Sequence, residues 1–371
     1  MDENFKKPEE LSEISEETVL DAALPAGEPE PESPGESSEQ VQIISPMRMV
    51  MRRFFRSKLS VVGLSVIVFL FLFSFLGPLF SPWGETETDD RPGKGSYFQE
   101  KITETITVVE YGVAKEIEVT MYDVTYDQFS QNIYAAPSGE HWLGTDAMGM
   151  DVMTRIMYGG RISLSIGFLV VILSTLVGIV LGGLAGYFGK WVDQLIMRIV
   201  DIFYCLPQFP MLLIASSLLS AWKVPGQLRI YYLMIILVFF GWAGTARMVR
   251  GQILSLREQE FMTATEAAGL PFWRKIFKHL VPNVMPQLIV SMTLSLGSVI
   301  LTEATLSYLG LGVPVPFAAW GTMISAANNP EILANYFNLW GPPGICIVLA
   351  VLAFNFVGDG LRDAFDPKMK R

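Results

Sequence analysis

Charge disappears from this chain in long apolar blocks separated by polar stretches punctuated with Gly and Pro. Residues 59–84 form 26 consecutive positions without Asp, Glu, Lys or Arg, and residues 162–189 form 28. Each block exceeds the roughly 20 residues that carry a helix across a bilayer. The same criterion, read with the Gly and Pro positions, predicts six spans: one opening at Leu59, then 162–187, 195–222, 230–248, 283–308 and 344–358. The uncharged run 304–330 is not a seventh, because Gly310, Gly312, Pro314, Pro316, Gly321 and Pro330 would break it and leave backbone groups unpaired in lipid. It is expected as a re-entrant or surface loop on the outside. The fold class is therefore an all-α membrane protein with six transmembrane helices.

Charge then orients the bundle. Arg48, Arg52, Arg53, Arg56 and Lys58 precede the first block, and the positive-inside rule places that flank, 47–80 with its helix, with its N-terminus in the cytoplasm. Arg247, Arg250, Arg257, Arg274, Lys275 and Lys278 cluster between the fourth and fifth spans, and Arg362, Lys368, Lys370 and Arg371 follow the sixth. The loop 309–340 has neither Lys nor Arg. Six spans leave both termini cytoplasmic, with 362–371 as the C-terminal tail, in a multi-pass protein of the cell (plasma or inner) membrane. Residues 81–160 then lie outside, and within them "KITETITVVEYGVAKEIEVTMYDV" alternates Ile, Val and Thr with polar residues around Gly112, the pattern of a β-hairpin. Such an insertion is either a contact surface for an external partner or a solvated excursion without chemistry.

Composition changes the picture at one point. Half the chain is hydrophobic (51%) and 17% is charged, but residues 1–40 hold 13 acidic and two basic side chains, so the formal charge of −10 belongs to the tail. Segment 1–46, rich in Glu, Pro and Ser, cannot bury enough apolar surface to offset the entropy of ordering and is expected to be a disordered cytoplasmic tail. It also lacks the apolar stretch of a secretory signal. With the rest of the chain near neutral, membrane lipid is a partner and nucleic acid is not.

Inside the spans, Gly178, Gly182 and Gly186 recur every four residues and make a face on which another helix can approach closely. Pro207 and Pro210 sit inside the third span, where each favours a kink; Glu303 lies deep in the fifth. These three are the candidates for gating or for the pathway, Glu303 being equally readable as a helix-packing hydrogen bond. Arg198 and Asp201, three apart, share a face and are expected to pair, near Asp193.

Catalytic chemistry is absent from the sequence. The nearest approach to a phosphate-binding loop, "GGLAGYFGKW", has Leu184 where the first Gly is needed and Trp191 where Ser or Thr is needed. His141 and His279 belong to no metal or nucleophile motif, and Cys205 and Cys346 lie within spans without ligand spacing. No metal, no cofactor and no catalytic residue is expected in this chain, which should not hydrolyse ATP. What remains is the basic loop 251–282, with helical patterning around 258–268, a stop at Gly269 and a second amphipathic piece, "LPFWRKIFKHLVPN", ended by Pro282. Phe261, Phe272, Trp273 and Phe277 are too many large apolar groups to leave in water, so the loop reads as a docking surface.

That loop resembles the cytoplasmic loop of ABC importer permeases, whose signature is E-A-A, three residues, Gly, nine residues, I-x-L-P. Gly269 and Pro282, 13 apart, set the register. Thr263, Ala264 and Thr265 then stand at the E-A-A positions, His279 and Val281 replace the Ile and Leu, and the visible "EAAG" from Glu266 to Gly269 stands three residues out of register. Further blocks, "HWLGTDAMGMDVMTRIMYGGRISLSIG", "GYFGKWVDQLIMRIVDI", "GWAGTARMVRGQILSLREQEFMTATEAAG", "EATLSYLGLGVPVP", "WGTMI" and "LAFNFVGDGLRDAFDP", look like the C-type permease of dipeptide, oligopeptide and nickel importers. The acidic tail and the outside insertion depart from a typical member.

The resemblance implies a type I importer permease fold over 161–361. It also implies a second permease subunit, two cytoplasmic ATPase subunits that bind ATP and Mg, and an extracytoplasmic solute-binding protein. In that reading the loop around Phe261, Thr263, Ala264, Thr265, Gly269 and Pro282 couples to the ATPases, and the cargo is a di- or oligopeptide, with nickel or another small solute as the alternative. An ion-coupled secondary transporter would need midplane ion sites, often with an inverted repeat, and an intramembrane enzyme would need catalytic residues. Neither set is visible. The topology has a direct check: a cysteine at Glu110 should react with an impermeant maleimide in intact cells and one at Thr265 should not, and labelling of both would overturn the six-span map.

Overall fold

The computed structural model describes residues 46–92, 101–110, 113–122 and 129–366. The acidic tail, but for its last residue, lies outside that set. Helix α1 (Pro46–Arg56) carries the basic flank and meets α2 (Lys58–Leu76) at Ser57, whose side chain accepts a hydrogen bond from the Ser60 amide and so caps α2. Four strands follow: β1 (Asp90–Pro92), β2 (Lys101–Glu110), β3 (Val113–Tyr122) and β4 (Phe129–Gln131). β2 and β3 pair antiparallel from Lys101↔Tyr122 to Glu110↔Val113, and β1 pairs with β4 from Asp90↔Gln131 to Pro92↔Phe129.

Helix α3 (Val152–Phe188) starts ten residues before the charge-free window that predicted it. The window stopped at two arginines that find partners on other elements. Arg155 is buried, lies 3.2 Å from an Asp146 carboxylate oxygen and donates to the Pro316 carbonyl. Arg161 sits over the Tyr158 and Phe75 rings and donates to the Phe75 carbonyl. The start of α3 is capped by Asp151, which accepts from the Thr154 amide. His141 is packed above it, with Nδ1 2.9 Å from Asp151 Oδ1 and Nε2 3.3 Å from Asp89 Oδ2, its ring stacked on Trp83. This buried cluster fastens the segment before β1 to the top of α3.

The expected third span is two helices, α4 (Lys190–Cys205) and α5 (Gln208–Ala221), bent by 81°. The prolines break the helix where a kink was expected. Leu206, preceding Pro207, is extended at φ −78° and ψ 128°, because a residue before proline is pushed out of the helical region. Pro207 then caps α5 and Pro210 falls in its first turn, where a missing amide proton costs no hydrogen bond. Next come α6 (Gly226–Arg257), the short α7 (Glu260–Ala267) and α8 (Phe272–Arg274), a π turn over Lys275–Leu280, and α9 (Val281–Tyr308). Helices α10 (Trp320–Ile324) and α11 (Pro330–Asn335) precede the long α12 (Phe337–Phe365). Among the described residues five helices are long and apolar enough to cross a membrane, or six crossings if α4 and α5 count as one span.

Two contacts fix the bundle. Along the first, α3 presents Gly178, Gly182 and Gly186 to α6, where added Cβ atoms would stand 2.6 Å from Thr245 Cβ, against the Ala246 carbonyl, and 2.9 Å from Ile253 Cβ. The glycine face is thus a packing seam. At the second, the loop after α9 folds back into the core: Trp320 is fully buried among Leu70, Ile156, Leu164, Ile300 and Phe354, and its Nε1 donates to the Ile156 carbonyl. At the opposite end Phe54 of α1 packs with Val357 and Ala364 of α12, and Arg53 donates to the Asp366 carbonyl, so both ends of this described body lie together.

The seam can be tested against its neighbour. A methyl group on Gly182 would lie 3.0 Å from the Ala246 Cα and carbonyl carbon, whereas one on Gly183 would find its closest atom, on the Ile276 side chain, at 3.5 Å. Gly182→Ala should therefore lower the thermal midpoint of the purified protein, with a cost of about 1–3 kcal/mol for overpacking, while Gly183→Ala should leave it unchanged or raise it. Equal behaviour of the two would show that α3 and α6 are not held at this distance.

Candidate functional site

The segment between α6 and α9 is built on a small core of its own. Val249 and Ile253 of α6, Met262 of α7, Ile276 and Leu280 of the π turn, and Val284 and Leu288 of α9 are all buried against one another. Phe261 and Phe272 are half-buried at its edge. α6 is anchored where it enters this core: Arg257 donates to the Tyr187 carbonyl at 2.9 Å, and the Arg250 guanidinium donates two hydrogen bonds to the Asp193 carboxylate, a bidentate fork. Asp201 pairs with Arg247 at 2.6 Å, correcting the expected partnership with Arg198. The bend between α4 and α5 leaves α4 lying along α6, so its acids face α6 arginines across the helices. Arg247 also lies 4.2 Å from the centroid of the Tyr204 ring.

Within this frame the segment's expected residues divide into two sets. Thr263 and Ala264 are exposed on the outer face of α7; Thr265 is buried and donates to the Met262 carbonyl at 2.7 Å. Gly269 stands at φ +65°, in the left-handed region. The Gly269 amide bonds to the Glu266 carbonyl and the Leu270 amide to the Thr265 carbonyl, the two reciprocal bonds of a Schellman helix stop, with Pro271 ensuring that the helix cannot resume. A Cβ at Gly269 would touch nothing within 4 Å, so the demand for glycine comes from the backbone alone. Pro282 lies exposed in the first turn of α9. Of the four aromatics, Trp273 (50% exposed) and Phe277 (43%) remain in the open, with rings stacked at 5.7 Å. Thr263 and Ala264 on α7 and the ring pair of Trp273 and Phe277 are thus all exposed on this segment.

The other three candidates lie elsewhere. Glu303 is about 32 Å from Pro282 along α9, at 1.5 Å per residue. It is fully buried, accepting from Ser163 of α3 at 3.0 Å and from Ser307 at 2.7 Å; Ser163 in turn accepts from the Trp320 amide. Its carboxylate ties α3, α9 and the returning loop together, as a packing hydrogen bond does. Pro207 and Pro210 shape the break before α5, beside a cavity of about 280 Å³ among α3, α5, α6 and α9. Sequence reasoning missed that cavity's lining. The signal was available: Ser291, Ser295, Ser298 and Thr302 recur at one-turn and two-turn intervals on α9, but a search for charges counts hydroxyls as apolar.

A bundle of long apolar helices with a structured segment between the ends of α6 and α9 is the architecture of a multi-pass membrane protein. Comparison with known proteins identifies which. Residues 178–371 match the family described as binding-protein-dependent transport system inner membrane component, and residues 45–94 match the N-terminal TM domain of oligopeptide transport permease C. The dipeptide transport system permease protein DppC of Alkalihalophilus pseudofirmus is 36% identical over 94% of this chain and 98% of its own length. The oligopeptide transport system permease protein OppC of Bacillus subtilis is 35% identical over 88% and 92%. The inward-facing MetNI methionine ABC transporter is 18% identical, covering 58% of this chain and 98% of its own, with a TM-score of 0.42. The chain belongs to the binding-protein-dependent transport family: it is a multi-pass membrane permease subunit of an ABC importer, a class that is not itself catalytic.

The loop gives a direct test. A β-carbon at Gly269 pays about 1 kcal/mol or more to hold a positive φ, and nothing else at that site resists it. Gly269→Val should leave the protein inserted and assembled while uptake and transport-stimulated ATP hydrolysis of the complex fall. Normal import by this variant would show that the left-handed helix stop at Gly269 is not needed for transport.

Proposed function

We propose that this subunit forms one half of the membrane pore of an ATP-driven importer that brings di- or oligopeptides into the cell. In this reading the chain crosses the membrane six times, with the bent α4–α5 pair counted as one passage, both termini in the cytoplasm and the β2–β3 hairpin outside. The lie of α1 against the end of α12 supports an even number of crossings. A second permease completes the pore, two cytoplasmic ATPases bind ATP and Mg, and an external solute-binding protein delivers the cargo. The observation that carries the peptide assignment is the similarity to dipeptide and oligopeptide permeases over nearly the whole chain.

The way the loop is mounted supports a mechanism. Thr263, Ala264, Trp273 and Phe277 give the ATPase an apolar and neutral face, while Phe261 and Thr265 hold α7 on the core beneath it. That core is continuous with α6 and α9, so closure of the ATPases on ATP moves the inner ends of both helices as one piece. α6 is locked to α3 along the glycine seam, and the displacement therefore reaches the cavity that α3, α6 and α9 share, opening it outward toward the loaded binding protein.

Reconstitution decides between this and an ion-coupled carrier. In proteoliposomes holding both permeases, peptide uptake should require ATP, the ATPases and the binding protein, and should not respond to collapsed proton or sodium gradients. Uptake driven by an ion gradient without the ATPases would overturn the assignment.

A further inference from the structure

The cavity bounded by α3, α5, α6 and α9 has a chemistry unlike the rest of the bundle. Its walls include seven hydroxyl side chains and the amide of Gln208, and among the described residues no Asp, Glu, Lys, Arg or His. Ser291, Ser295, Ser298 and Thr302 line one face of α9 over about 16 Å at 1.5 Å per residue, the length of an extended chain of about four or five residues. Two of these hydroxyls have already spent their protons on their own helix: Ser295 donates to the Ser291 carbonyl and Thr302 to the Ser298 carbonyl, each at 2.8 Å. Their lone pairs remain as acceptors for a guest N–H. Ser291, Ser298 and Gln208 make no side-chain hydrogen bond with any of the described residues, and they can both donate and accept.

Such a wall matches one kind of guest. A peptide backbone carries alternating donors and acceptors at every residue, and each must find a partner when it leaves water. Hydroxyls and an amide at one-turn spacing supply partners without selecting a side chain. The absence of fixed charge matters equally: a buried carboxylate or ammonium would favour guests of opposite charge and reject those of its own. We propose that this cavity is the substrate-conducting wall of the subunit, binding the peptide main chain through neutral hydrogen bonds and passing acidic, basic and neutral peptides without discrimination. This rests on the peptide-importer reading above, and it adds that charge selectivity lies outside this wall.

Placing one charge in the wall tests it. Complexes carrying Ser298→Asp or Ser298→Lys are reconstituted with the ATPases and binding protein, and uptake of a tripeptide with two Glu side chains is compared with that of one with two Lys side chains, each at saturation. The unmodified complex should move the two at rates within a few-fold of each other. Ser298→Asp should lower the acidic-to-basic ratio by about tenfold or more, and Ser298→Lys should raise it by a similar factor, since one like-charge contact at the effective dielectric of a protein surface is worth at least that much. An unchanged ratio in both variants, whether or not both rates fall, would overturn the proposal.

Should the charged variants fail to assemble, a second measurement decides. Ser298→Cys, in a background with Cys205 and Cys346 replaced by serine, should react with a water-soluble thiol reagent and be protected by transported peptide in the presence of its binding protein. Failure to react, or reaction without protection, would overturn the proposal. If the unmodified complex moved no peptide at all, the peptide reading would fall by itself, and solvent reactivity at position 298 would still report whether the wall is wet.

Discussion

The close approach of α3 to α6 is the constraint on which the rest of the subunit depends. Three glycines at four-residue spacing bring the two backbones together so tightly that an added methyl at Gly182 would meet the Ala246 backbone. In lipid there is little hydrophobic force between helices, and close packing of this kind supplies much of the association. Because α6 continues past the seam into the loop core, and α3 extends away from it to the buried His141 and Glu303 clusters, the seam joins the two ends of the molecule mechanically. A softer contact, padded by long side chains, would absorb displacement instead of carrying it.

Polar groups buried along this frame serve the same end. Glu303 spends its two oxygens on Ser163 and Ser307, and Ser163 also accepts from the Trp320 amide, so the returning loop is fixed to the two helices that flank it. Near the loop core, Asp193 and Asp201 hold α4 against the arginines of α6. Removing one member of the buried Glu303 cluster costs more than the bond is worth, because the other is left unpaired, whereas the exposed Asp201–Arg247 pair contributes little by itself. The cavity between these zones is different: its hydroxyls are spent on their own helices or left open, so its polarity does not tie helices together.

Much of this was legible in the sequence. Apolar blocks mark every long helix among the described residues, the glycine spacing marks the seam, and Gly269 reads as a helix stop, in keeping with its φ of +65°. The misses share a cause, which is that one-dimensional patterns do not show partners. Arg155 and Arg161 truncated α3 in the sequence reading because their satisfying groups, the Pro316 and Phe75 carbonyls, are distant in the chain. Asp201 was paired with its sequence neighbour Arg198 and belongs to Arg247, 46 residues away. Pro207 and Pro210 signalled a bend, but nothing local gives its 81°. The cavity lining was overlooked because serine and threonine are tolerated in spans as if apolar, and only the fold reveals that seven of them face one space.

In the proposed mechanism, ATP-driven motion of the α7 loop switches the side from which this cavity is open. The most direct measurement is the sidedness of a cysteine at Ser295, in a subunit with Cys205 and Cys346 replaced, within the reconstituted complex. An impermeant thiol reagent should reach it from the ATPase side without nucleotide, and from the opposite side when ATP is trapped with the loaded binding protein present. Labelling from one and the same side in both states, or a switch that occurs without the ATPases, would contradict the account.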